Sequence, residues 1–191
     1  MEVQVIMISG RAGSGKTSTG NEMAEQLRLR GLCHAHIDGD NLDSIFPEEP
    51  EAEMLLANLA AMWSNYYHRR GITRLILSGT AIALEFESIK QAIKDASETP
   101  PRGVSSVQGP RVKEVEVKAS AVILTAPDDV AFKRLAKREV GSELPHILKS
   151  SKKMAGVLEE TVGRWVRRID TDGKDVKENA LDILRTAGWV D

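Results

Sequence analysis

The stretch Gly10-Arg11-Ala12-Gly13-Ser14-Gly15-Lys16-Thr17 constrains this chain more than any other, because it fills the pattern G-x-x-x-x-G-K-[ST] completely. Before it, Val3 to Ser9 is a short apolar, β-branched run that reads as a buried strand. After it, Lys16 to about Arg30 reads as a helix closed by Gly31. A strand that turns through glycines into a helix N-terminus points successive backbone N–H groups into a concavity suited to phosphate. Side chains at Gly10, Gly13 or Gly15 would obstruct that concavity, and Ala12, Ser14 and Ser18 complete the expected binding segment. Lys16 is placed to reach β- and γ-phosphates, and the Thr17 hydroxyl to ligate Mg²⁺. ATP and Mg²⁺ are therefore the expected ligands. A glycine-rich turn that binds nothing is the competing reading, and a full match between strand and helix counts against it.

The rest of the chain alternates strand and helix. Strands are expected at Cys33 to Ile37, Arg74 to Ser78, Ala121 to Thr125 and Val166 to Ile169. Helices are expected over Glu51 to Arg70, about Ala81 to Ser97, from Pro127 onward, over about Leu144 to Glu160 and about Val176 to Ala187. The stretch 98–113, rich in Pro, Gly and Ser, reads as a long loop. This alternation implies an α/β fold, a parallel sheet doubly wound with helices on both faces. At 191 residues the chain is expected to be one domain, 1–191, with 41% hydrophobic and 28% charged residues giving it a real core.

Composition removes several classes of function. A formal charge of −2 does not favour a polyanionic partner, so nucleic acid is not expected. Cys33 stands alone, so no internal disulfide can form, and it is expected to be a buried strand residue in a reducing compartment. The opening MEVQVIMISG is read as neither a secretory signal nor a span, and no run reaches the roughly 18 apolar residues a spanning helix needs. A cytoplasmic protein without a membrane partner is the expectation. His34, His36, His68 and His146 show no metal-ligand spacing.

The second strand runs into Asp38-Gly39-Asp40-Asn41. Two carboxylates thus stand at the C-terminal edge of a strand, where open parallel sheets bind ligands. They alternate along an extended segment, so both can point the same way. One could serve the metal and the other take the proton of an attacking hydroxyl. A plain turn remains the alternative, since Asp, Gly and Asn all favour turns.

With these residues the chain resembles the small P-loop kinases related to nucleoside monophosphate kinases, a group that includes adenylylsulfate, shikimate and gluconate kinases and chloramphenicol phosphotransferase. The resemblance covers nearly the whole chain, and the phosphate loop is its specific part. It implies a P-loop NTPase fold, a five-stranded parallel sheet in the order 2-3-1-4-5, with a helical lid at approximately 134–160. By position, Asp38 resembles the residue that orients the magnesium water shell, and Asp40 the acceptor-binding carboxylate or base. Arg134 and Arg138, four apart on one helical face, resemble the pair that packs on adenine and contacts the phosphates. An ordinary solvated basic face is the alternative for these two arginines. Asp172-Gly173, within Asp170-Thr171-Asp172-Gly173-Lys174, resembles the loop that curls around the adenine, with a plain turn again the alternative.

The chain departs from the pattern at its third strand, which ends Leu77-Ser78-Gly79-Thr80 without the acidic residue many P-loop enzymes carry there. Magnesium would then rest on Thr17, phosphate oxygens, water and Asp38. The leading expectation is a kinase that moves the γ-phosphate of ATP to a hydroxyl of a small metabolite, with Lys16, Asp40 and Arg138 as catalytic residues. Two alternatives stand beside it: a nucleotide-binding regulatory protein with little phosphotransfer, and a nucleic-acid end kinase. Neither the acceptor nor the oligomeric state is legible in the residues.

Overall fold

The computed structural model describes residues 1–47, 51–101, 114–138 and 144–191, with Arg138 described by its backbone alone. Five strands, β1 (Glu2–Ser9), β2 (Ala35–Asp38), β3 (Arg74–Ser78), β4 (Glu116–Thr125) and β5 (Arg167–Asp170), form one all-parallel sheet in the order β2-β3-β1-β4-β5. This is the 2-3-1-4-5 order expected. The helices are α1 (Lys16–Leu29), α2 (Glu53–Arg70), α3 (Phe86–Glu98), α4 (Asp128–Arg138), α5 (Leu144–Thr161) and α6 (Val176–Thr186).

Strand alternation divides the core between the two faces of the sheet. Val3, Val5 and Met7 of β1 pack with Leu75 and Leu77 of β3, Leu59 and Trp63 of α2, Ile89 and Ile93 of α3, and Leu158 of α5. Ile6 and Ile8 point the other way, against Met23 and Leu27 of α1 and Ala180, Ile183 and Leu184 of α6. A strand covered on both faces needs the near-continuous apolar run that VQVIMIS supplies. Trp63, fully buried, donates its indole N–H to Ser97 Oγ at 2.8 Å, so its one polar atom is satisfied. Gly71 ends α2 at φ 66°, its N–H and that of Ile72 closing onto Tyr67 O and Tyr66 O. A left-handed residue at this place returns two helical carbonyls to hydrogen bonds, and glycine adopts it without strain.

Several boundaries differ from the sequence expectation. β4 begins at Glu116 because it pairs with β1 from Glu2 onward, with Val117 buried beside Val3. α3 starts at Phe86, since 79–85 is taken up by a turn at the edge of the site. β2 spans Ala35–Asp38, and Cys33 lies before it and is exposed, contrary to the buried strand residue expected. Most of the 98–113 loop lies outside the described residues, as does 139–143 within the expected lid. Among the described residues, no helix is long and apolar enough to cross a membrane.

Candidate active site

β1 is central, paired with β3 on one side and β4 on the other, and its C-terminal end releases the chain into the glycine loop. Gly13 takes φ 84° there, and a Cβ added to it would stand 2.6 Å from the carbonyl oxygen of Ala131. Only glycine lets the loop lie this close against α4. α1 begins after Gly15 with no side-chain cap and no acidic residue in its first turn, so its first N–H groups and positive dipole end are left for a ligand.

A cleft of about 640 Å³ opens over this loop. Ala12, Gly13, Gly15, Lys16, Thr17, Ser18, Asp38, Asp40 and Arg134 all line it. Gly10, Ser14, Asp172 and Gly173 do not contribute to its lining. Ser14 is buried with its hydroxyl unpartnered, and Asp172 closes a turn by donating its N–H to Asp170 Oδ1 at 3.1 Å.

The two carboxylates are held differently. Asp38 ends β2 and accepts from the Thr17 hydroxyl at 3.1 Å and from the Asp40 N–H at 3.2 Å. Asp40 does not continue the extended strand as the sequence suggested, because Gly39–Asn41 forms a 3₁₀ turn. The turn carries its carboxylate to the end of β3, where it accepts from the Thr80 N–H at 2.6 Å and the Thr80 hydroxyl at 3.0 Å. Lys16 Nζ lies 3.7 Å from Asp40 Oδ2 and donates to Arg11 O at 3.3 Å. Asp40 thus supplies, from β2, an acid beside the strand end that lacks one of its own.

Arg134 reaches from α4 to two loops at once. Its guanidinium donates to Gly13 O at 3.2 Å, Thr171 Oγ1 at 2.9 Å and Thr171 O at 2.9 Å. The Thr171 hydroxyl in turn shares its one hydrogen between Ser14 O and Thr125 O, each at 3.1 Å. The glycine loop is thereby tied to the segment after β5. The side chain of Arg138 lies outside the described residues.

Arg11 forms a second tie. Although it fills a variable place of the motif, it is only 4% exposed. It pairs with Asp128 at the start of α4, donates to Ser151 Oγ of α5 at 2.9 Å and lies over the Phe132 ring at 5.4 Å. Ser151 donates onward to Ala12 O at 2.8 Å, so α5 is bonded directly to the phosphate loop. The Arg11 guanidinium, and then Lys152 at 3.1 Å, hold the Asp128 carboxyl below the usual carboxylate range. Nearby, burial pushes the His36 imidazole down, against a smaller opposing pull from Asp38; its Nε2 lies 3.2 Å from Ser78 Oγ.

Sequence reasoning named the segments that hold Arg11 and Thr171 without singling out either residue, and it did not find Ser151 or Asn179. A motif is blind to its variable positions, which hides Arg11. Asn179 did leave a signal, a polar residue on the apolar stripe of α6 that Ala180, Ile183 and Leu184 define.

The donor set fits a magnesium–triphosphate. Thr17 and Asp38 are hard oxygen groups 3.1 Å apart, Lys16 is cationic, and the α1 N–H groups face the same cleft. Among the described residues no group of three or more His, Cys, Asp or Glu could hold a metal alone, so the ion would lean on phosphate oxygens and water.

No family model matches the chain, and no curated protein matches it in sequence. Solved structures do match it over more than nine tenths of their length. A shikimate kinase from Acinetobacter baumannii in complex with shikimate is 15% identical, covering 96% of this chain and 92% of its own, at a TM-score of 0.55. A gluconokinase from Sinorhizobium meliloti 1021 is 17% identical, with 97% and 91% covered and a TM-score of 0.56. The Mycobacterium tuberculosis APS kinase in complex with AMPPNP and APS is 18% identical, with 96% and 98% covered and a TM-score of 0.51. Fold and phosphate loop together define the class: this chain has the fold of the small P-loop kinases. Identities this low speak for the fold alone.

Proposed function

We propose that this chain is a phosphotransferase that moves the γ-phosphate of ATP to a hydroxyl of a small metabolite. The observation that carries the reading is Asp40, a carboxylate 46% exposed, 3.7 Å from Lys16 and fixed by two bonds from Thr80 in the cleft above the phosphate loop. A carboxylate has about four lone-pair sites, so two remain for an acceptor hydroxyl. The structural neighbours include kinases solved with shikimate and with AMPPNP and APS, which supports a small acceptor and an adenine nucleotide.

In this reading the loop N–H groups and Lys16 hold the β- and γ-phosphates, and Arg134 offers the open face of its guanidinium to the base. Thr17 and Asp38 would hold Mg²⁺, which when bound neutralises charge on the phosphates. The acceptor oxygen forms its bond to the γ-phosphorus as the bond to the ADP oxygen breaks, and its proton passes to Asp40. Lys16 and Arg138 stabilise the charge spread over the transferring group. The lid, about 134–160, excludes water that would otherwise hydrolyse ATP.

Incubation with γ-labelled ATP and a metabolite pool tests this, with a labelled organic product expected. Asp40→Asn should bind ATP as before and transfer at least about a hundredfold more slowly. Nucleotide binding with no labelled product would instead favour a regulatory nucleotide-binding protein, and label on oligonucleotides alone a nucleic-acid end kinase.

A further inference from the structure

The nucleotide cleft contains a buried amide that the phosphate chemistry does not use. Asn179, at the end of the first turn of α6, is 4% exposed and lines the cleft. Its backbone N–H bonds to Asp175 O, but its carboxamide has no hydrogen bond, ion pair or ring contact among the described residues. The amide is not sealed inside the protein and keeps an opening onto the cleft. Thr19 of α1, 2% exposed and also lining the cleft, likewise makes no side-chain bond among the described residues. Buried polar groups are nearly always satisfied, and one that opens only onto a ligand cleft is waiting for a partner there.

The surroundings say what kind of partner. Val176 lies three residues before Asn179, hence on the same side of α6, and is an exposed apolar side chain at 42%. It lines the same cleft, as do the apolar Leu135 and the guanidinium of Arg134. Apolar surface beside a carboxamide that both donates and accepts is the complement of a purine ring. A carboxamide matches the adenine edge in particular, accepting from the 6-amino group while donating to the adjacent ring nitrogen.

We propose that Asn179 reads the base, setting the preference of this site for adenine through a two-bond contact with the edge that carries the 6-amino group. This rests on the nucleotide reading above, and inorganic tripolyphosphate separates the two, since it engages the phosphate loop but has no base.

The experiment is calorimetric titration of the wild type and Asn179→Leu with Mg²⁺ and three probes: ATP, purine riboside triphosphate (ATP without its 6-amino group) and tripolyphosphate. For the wild type, removing the amino group should weaken binding by about tenfold or more. For Asn179→Leu, ATP should fall to the affinity of purine riboside triphosphate, with tripolyphosphate within about twofold of the wild type. The ligand-free variant should melt no lower than the wild type, because the substitution removes an unpaired buried amide. Asn179→Ala should give the same binding pattern if leucine proves too large for the site. A wild type indifferent to the amino group, a variant that keeps the tenfold preference, or a variant that loses tripolyphosphate along with ATP would each overturn the assignment. Tripolyphosphate binding without any gain from the base overturns it alone; failure of all three probes on folded wild type removes the nucleotide reading as well.

Discussion

Replacing Arg11 by methionine separates what its charge contributes from what its length contributes. Its buried bond to Ser151 at 2.9 Å is a charged donor on a neutral hydroxyl, worth about 1.5–3 kcal/mol. Its approach to Phe132 at 5.4 Å adds about 0.5–1 kcal/mol. Against this stands Nη2, buried without a partner, which costs about 1–3 kcal/mol in the native protein and is relieved when the guanidinium goes. Asp128 is half-exposed and keeps Lys152 at 3.1 Å, so it is not left alone. Ser151 likewise keeps its bond to Ala12 O. The opposing terms nearly cancel, leaving Arg11→Met less stable by about 1 kcal/mol, a fall in Tm of about 2–4 °C for a chain of this size. Arg11→Ala also empties the space of the stem, and should cost about 2 kcal/mol more. Thermal unfolding by circular dichroism measures both variants side by side. If the methionine variant falls as far as the alanine variant, charge and not packing holds the residue, and the reasoning fails.

Two further outcomes are expected. The His36 pKa is depressed by burial below the ordinary 6.5, so above that value neither folded nor unfolded chain carries the proton and stability is full. As pH falls through about 6.5 the unfolded chain protonates first and stability drops, by at most about 1.4 kcal/mol per pH unit, until the folded pKa is passed. Urea unfolding between pH 7.5 and 5.5 should show a shallower fall for His36→Gln, and parallel curves would assign the slope to other groups. Gly13→Ala forces a Cβ to within 2.6 Å of the Ala131 carbonyl at φ 84°, so it should lower Tm and weaken ATP binding together. An unchanged Tm would mean that the loop yields freely against α4.

What the residues disclosed of this fold was local, and what they hid was contact between distant segments. The apolar runs of β1, β3 and β4 were legible because strands buried on both faces must be apolar throughout. The sheet order came from resemblance to a family, since nothing in the runs themselves says which strand lies beside which. β4 was read five residues short because its first half, Glu116 to Ser120, alternates with charged residues and does not look like an interior strand. The phosphate loop was legible because one contiguous segment makes it. Asp40 was picked out, but its anchorage was not, because Thr80 lies 40 positions away and meets it only through the 3₁₀ turn at Gly39–Asn41. Arg11 was hidden for the same reason: its partners lie 117 and 140 positions along the chain.

The central claim is that the loop at Gly10–Thr17 takes the triphosphate of a nucleotide through its N–H groups and Lys16. Titration calorimetry of folded protein with ATP and Mg²⁺ tests it most directly. One ATP per chain is predicted for the wild type, with the heat lost in Lys16→Ala while the fold, followed by circular dichroism, is retained. A wild type that is folded and takes up no ATP, or a Lys16→Ala variant that binds it equally well, would contradict the account.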